Sequence, residues 1–167
     1  MGEILDLIKK RRSIRKYTDE PVSDEDIRTM LEAAMAAPSA DNLQPWEFIV
    51  VRDGDLRRQL AQTHPWSRMC AGAPVVFVVC GHEGRSSHWV EDTSAATENL
   101  LLAAAGLDLG AVWVGVYPNR GAEAHVRKVL GIPEGLRILC LVPVGHPAES
   151  KPPRTQYDPR KVHYDGY

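Results

Sequence analysis

Apolar positions along the chain fall into groups with two different spacings. Ile4, Leu7 and Ile8 recur at i, i+3 and i+4, which predicts a short helix over residues 3–12 with one apolar face. The chain then reads as extended from Tyr17 to Pro21. Ser23 suits an N-cap, Asp24, Glu25 and Asp26 load the next turn with favourable negative charge, and Ile27, Met30, Leu31 and Ala34 form the buried stripe of a second helix. Pro38 stops it, and residues 39–42 are a polar loop. Residues 46–51 read as a strand, and Asp53 as the cap of a third helix carrying Leu56 and Leu60. The nearly continuous apolar run 74–80 predicts a strand buried on both faces. After a loop over 81–87, residues 90–105 predict a long helix closed by Gly106 as its C′ residue. A strand over 111–116, a helix over 121–130 closed by Gly131, and a strand over 136–144 complete the series.

Two segments depart from this pattern. The second half of the long helix, residues 100–105, is apolar all round, so it asks for cover on every side. A 167-residue monomer supplies that with difficulty, which points to a subunit interface. The tail 147–167 carries Pro147, Pro152, Pro153 and Pro159, many charges, and Tyr157, Tyr164 and Tyr167, with no apolar period. It cannot fold alone, yet aromatics are scarce in disordered tails, so an extended arm laid over another surface is expected. The order ααβαβαβαβ-arm predicts an α+β or α/β three-layer sandwich around a central sheet. One domain is expected over 1–146, with 147–167 as its arm.

Hydrophobic residues at 44% and charged residues at 25% exclude a disordered or fibrous chain. A net charge of −2 gives no electrostatic case for nucleic acid or an anionic membrane as partner. No apolar run approaches the roughly 20 residues of a membrane span, and the first residues lack the apolar core of a secretory leader. The three cysteines are odd in number and lack CxxC spacing; Cys80 and Cys140 sit in strand-like runs and read as small buried residues in a cytoplasmic protein. The six histidines show no ligand spacing, so no metal is expected. Neither GxGxxG after a strand nor GxxxxGK[ST] is present.

Four clusters could carry chemistry. Arg11-Arg12-Ser13-Ile14-Arg15 puts three guanidiniums and a hydroxyl at a helix end, a donor set suited to phosphate, although basic residues there also complement the helix dipole. The stretch from Pro38 to Trp46 pins a polar loop between two prolines. Gly115 in Trp113-Val114-Gly115-Val116 permits close backbone approach to a ligand, or merely ends a strand. Lys151-Pro152-Pro153-Arg154 projects cations from the tail.

In this order, RRSIR, PSADNLQPW, ENLLLAAAGLDLGAVWVG and KPPR, the chain resembles the FMN-dependent nitroreductase family along nearly its whole length. The resemblance implies a three-layer α+β sandwich, an intertwined homodimer with exchanged C-terminal arms, and FMN at the interface. It implies that Arg11, Ser13 and Arg154 hold the FMN phosphate, with Arg12 on the phosphate or ribityl chain and Arg15 at the pyrimidine edge. Pro38, Ser39, Ala40 and Asn42 would come from the other subunit. Val114 and Gly115 would bring a backbone N–H towards flavin N5. Arg68 is offered as a second pyrimidine contact by a looser match and stands outside this set. The implied activity passes hydride from NADH or NADPH to a nitroaromatic, quinone or similar acceptor, with no side-chain acid or base. The alternatives are a specialised dehalogenase-like relative or a non-catalytic FMN carrier or sensor. The stretch at residues 113–117 lacks the second glycine or acidic residue of many relatives. Only residues 81–90 are available where longer relatives insert a helical roof over the substrate pocket.

Overall fold

The computed structural model describes residues 2–167. Helix α1 (Gly2–Lys10) ends one residue before the arginine cluster. The next helices begin where the sequence supplies caps: Ser23 Oγ accepts the Asp26 N–H at the start of α2 (Asp24–Met35), and Asp53 accepts the Leu56 N–H at α3 (Gly54–Leu60). Helix α4 (Trp89–Gly106) is the longest, and α5 (Arg120–Leu130) is capped by Asn119, which accepts the Ala122 N–H, and closed by Gly131 at φ 66°.

The strands are β1 (Trp46–Val51), β2 (Val75–Gly81), β3 (Gly110–Ala111), β4 (Val114–Gly115) and β5 (Arg137–Gly145). They form one antiparallel sheet in the order β1-β2-β5-β3, with β4 also on β5. Val75, Phe77 and Val79 pack on one face with α2 and α4, while Val76, Val78 and Cys80 pack on the other with residues of α3 and α5. Strand β2 is buried throughout, as its unbroken apolar run predicts. Burying each such Val or Phe contributes roughly 1.5–3 kcal/mol. The result is the expected α+β arrangement with helices on both faces. All three cysteines are free and buried. Among the described residues no helix is long and apolar enough to cross a membrane, and no cluster could hold a metal.

Three boundaries differ from expectation, the first being α1, expected to reach residue 12 but ending at Lys10. Gly106 is not the C′ residue of α4: the helix runs through it, and Asp108 takes the left-handed conformation at φ 57°. Leu109 N–H reaches Ala104 O at 2.8 Å and Asp108 N–H reaches Ala105 O at 3.3 Å, the paired bonds of a Schellman ending. A Cβ at Gly106 would stand 3.8 Å from Leu7, so this glycine lies under α1 instead of ending α4. The strand expected over 111–116 is interrupted at Val112 and Trp113. The register places Val112 opposite Pro143, which has no N–H to give the ladder.

The apolar half of α4 is partly covered within the chain. Leu100, Leu101 and Ala104 are buried, whereas Leu102, Ala103 and Ala105 are half-buried. Helix α1 buries no residue: Ile4 is 73% exposed, Leu5 53% and Ile8 48%. Of its predicted apolar face, Leu7 packs towards Gly106 of α4, while Ile4 and Ile8 are open in the single chain.

Candidate active site

The segment after α1 is extended and lies along β3. Ser13 bridges to Ala111, and Ile14 N–H donates to Ala111 O at 2.9 Å. Gly110 admits it, since a Cβ there would come 2.5 Å from Ile14 Cγ2. The tail returns along the same segment. Tyr17 bridges to Pro147, Ala148 N–H donates to Lys16 O at 2.9 Å, and Glu149 accepts the Arg15 N–H at 2.6 Å. Lys151 donates to Ser13 O, Arg12 to Pro152 O, and Arg154 N–H to Lys9 O at 3.1 Å. The Arg15 N–H, with Lys151 adding charge, holds the Glu149 carboxyl below the ordinary carboxylate range. Arg11 and Arg154, from opposite ends of the polypeptide, thereby line one cavity of about 320 Å³. Arg11 also pairs with Glu98 at 3.2 Å, an exposed partner of small energetic weight. Arg12 does not point freely outward: it lines a neighbouring cavity of about 270 Å³ with Arg11, and its guanidinium is tied to the tail.

The edge formed by residues 111–115 joins this segment to a larger cleft. Val116 N–H donates to Leu139 O at 3.0 Å, so Val116 faces β5. Backbone direction alternates along an antiparallel strand, and Ala111 and Gly115 therefore face away from β5. The Ala111 carbonyl meets Ile14, and the Gly115 carbonyl meets His64 Nε2 at 2.8 Å. The Gly115 N–H points to the same outer side as its carbonyl. Val114, Gly115, Arg15 and Arg68 line a cleft of about 770 Å³, with Trp66 and Trp113 exposed on its walls. The cleft has two guanidiniums and no carboxylate among its lining residues. A Cβ on Gly115 would meet nothing within 4 Å, so no packing within the chain demands a glycine there.

The loop after α2 is held differently. Asp41, Asn42 and Gln44 all take positive φ, at 52°, 53° and 48°. Left-handed non-glycine residues cost about 1–3 kcal/mol each and cluster at functional sites, with Asp and Asn the most tolerant. Ala40 N–H donates to the buried Asp92 of α4 at 2.8 Å, Gln44 N–H to Ser39 Oγ at 3.0 Å, and the Gln44 amide to Asn42 Oδ1 at 2.8 Å. Pro38, Ser39, Ala40 and Asn42 are not among the residues lining the two cavities or the cleft, so one chain does not bring them to Arg15 and Gly115.

The model of the nitroreductase family matches residues 8–64 and 59–146. A relative from Archaeoglobus fulgidus, provisionally named NADH dehydrogenase/NAD(P)H nitroreductase, is 43% identical over 170 residues, covering 98% of each chain. The chain belongs to the nitroreductase family. A solved structure from Parabacteroides distasonis, with the same provisional name, has a TM-score of 0.97 at 40% identity and covers 100% of both chains. A provisionally named nitroreductase from Desulfovibrio desulfuricans, solved in complex with FMN, has a TM-score of 0.85 at 32% identity, covering 100% of this chain and 99% of that one.

Within this nitroreductase fold, two residues at the candidate site escaped the sequence, and Arg68 was offered only by a loose match. The short turn over Arg68–Ala71 brings Arg68 into the same cleft as Arg15. His64 was one of six scattered histidines, and its contact with Gly115 spans 51 positions. Asp92 carried no signal in the sequence; it is buried near the start of α4, accepting the Ser86 Oγ hydrogen at 2.8 Å as well as the Ala40 N–H.

Proposed function

We propose that this protein is an FMN-dependent NAD(P)H oxidoreductase that works as a homodimer. The observation that carries the reading is the convergence of Arg11 and Arg154 on one cavity, in a segment whose Arg15 lines a cationic, carboxylate-free cleft with Gly115 on its edge. Those residues fit a phosphorylated isoalloxazine. Guanidiniums match phosphate oxygens, and the outer face of Gly115 is open where a ring needs close approach.

In this reading Arg11, Ser13 and Arg154 hold the phosphate, with Arg12 bracing the tail beside them. Arg15 and Arg68 stabilise negative charge at the pyrimidine edge, and the Gly115 N–H faces N5. When bound, FMN supplies hydride transfer from a reduced nicotinamide to a nitroaromatic, quinone or similar acceptor. The protein orients the reactants and supplies charge, and water supplies the protons. Pro38, Ser39, Ala40 and Asn42 of the partner subunit complete the site, which accounts for a strained, tightly fastened loop that does not line the cleft of its own chain. The open face of α1 and the exposed Tyr157 and Tyr164 support the dimer. Residues 147–154 are bonded to their own chain, and Thr155 and Gln156 line the Arg11 cavity, which leaves 157–167 as the part of the arm available to a partner. The three free thiols fit a cytoplasmic location.

The test is an absorbance spectrum of the purified protein, followed by anaerobic NADH or NADPH and a panel of acceptors. A yellow protein bleached by either nucleotide and recoloured by a nitroaromatic or quinone supports the reading. Protein that is colourless and takes up no FMN refutes it. Binding without bleaching identifies a carrier instead, and turnover confined to a halogenated tyrosine identifies the dehalogenase-like alternative.

A further inference from the structure

Three consecutive backbone directions meet at Gly115. Its neighbours Val114 and Val116 face β5 and are held by it. Gly115 faces the other way, towards the cleft, and glycine lacks the Cβ that would narrow its φ and ψ. On that outer side its carbonyl is held by His64 Nε2 at 2.8 Å. The imidazole is itself oriented, because Trp66 N–H points at Nδ1 from 3.2 Å. A nitrogen that accepts this bond carries no proton, so Nε2 bears the hydrogen and donates it to Gly115. The backbone of His64 is equally fixed. Ser67 is fully buried, its hydroxyl accepts the His64 N–H at 3.1 Å, and its own N–H returns to His64 O at 3.0 Å.

We infer that His64, as its neutral Nε2–H tautomer, is a positioning residue that sets the Gly115 peptide for the flavin. The inference rests on the flavin reading above. The carbonyl lies at a partly open edge where water can satisfy it. The imidazole therefore adds direction more than stability: it fixes the Gly115–Val116 peptide, whose N–H is spent on Leu139 O, and with Val114 held by β5 on the other side this restricts Gly115 φ and ψ and so sets where the Gly115 N–H points. The same turn carries Trp66 and Arg68 into the cleft wall, so one histidine couples the edge strand to both side chains.

The experiment compares the wild-type full chain with His64→Ala and His64→Gln. Each is stripped of flavin and titrated with FMN, the midpoint potential of the bound flavin is measured, and the melting of the flavin-free protein reports folding. His64→Ala is expected to weaken FMN binding about 2- to 10-fold, the yield of one neutral hydrogen bond, and to displace the midpoint potential. His64→Gln is expected to return both towards wild type, because its amide can donate to the same carbonyl. An alanine variant that matches wild type in affinity and potential overturns the inference. A second measurement does not depend on the variants folding: the imidazole nitrogen resonances of the flavin-free wild type. Protonated Nε2 with bare Nδ1 at His64 supports the assignment, and the opposite tautomer overturns it. If the wild type takes up no FMN, the flavin reading itself fails and the inference falls with it, whereas binding unaffected by the substitutions sinks the inference alone.

Discussion

Gly115→Ala separates a glycine needed for folding from one needed for a ligand. The substitution adds one methyl group at an edge strand. Within the chain that methyl meets no heavy atom within 4 Å, and the residue is not in the left-handed region. Folding then gains from the reduced freedom of the unfolded chain, about 0.4–1 kcal/mol where the conformation is compatible. For a chain of this length the gain appears as a rise of roughly 1–4 °C in Tm. In the flavin-bound protein the methyl projects into the space assigned to the ring. Overpacking of that kind costs about 1–3 kcal/mol, which corresponds to roughly a 5- to 150-fold rise in Kd for FMN. The assay pairs thermal melting of flavin-free protein with a titration following quenching of FMN fluorescence. Tm should hold or rise while affinity falls. A variant that loses more than about 1 kcal/mol of stability, or that binds FMN as wild type does, refutes the reasoning.

The remaining expectations address the phosphate cage, the arm and the charged network behind the sheet. Arg11→Ala should weaken FMN binding by about 1.5–3 kcal/mol, the size of a charge-assisted hydrogen bond; unchanged affinity in the same titration removes Arg11 from the phosphate site. Ending the chain after Arg154 keeps the ties along residues 147–154 but removes Tyr157 and Tyr164, and should lower both dimer fraction in sedimentation and flavin retention; a truncated protein that stays dimeric and yellow shows that the arm is not shared. Glu123 is buried, which pushes its carboxyl up, but bonds from Arg137 at 2.8 and 3.0 Å and from Ile138 N–H at 3.0 Å outweigh this and hold it below the ordinary range. Its contribution is therefore complete above the unfolded carboxylate range and lost as pH falls through the lower folded value. Glu123→Ala should cost about 3–5 kcal/mol at neutral pH and flatten the acid limb of a stability–pH curve; a variant with the wild-type acid limb contradicts the assignment.

Much of the architecture was legible because its causes are local. Ser23, Asp53 and Asn119 lie beside the helices they cap, and the apolar run of β2 announces a strand covered on both faces. Two of the boundary errors came from partners remote in sequence. Gly106 carries a signal for helix termination, but α1 lies over it, and Asp108 supplies the left-handed residue instead. The strand over 111–116 has nothing in its own sequence to break it; the break is imposed by Pro143, 31 positions from Val112. The candidate site divides in the same way. RRSIR and KPPR announce cations, while their meeting depends on an extended segment admitted by Gly110.

The sequence by itself determined the element types, the family and the chemical character of the candidate groups, because periodicity, caps and side-chain types act over a few residues. The tertiary structure alone decided which backbone groups face outward along the edge at residues 111–115, that His64 and Arg68 join Gly115, and that the two ends of the chain run side by side. Those outcomes depend on strand register and on contacts between distant segments, which pairing fixes only when the sheet has formed.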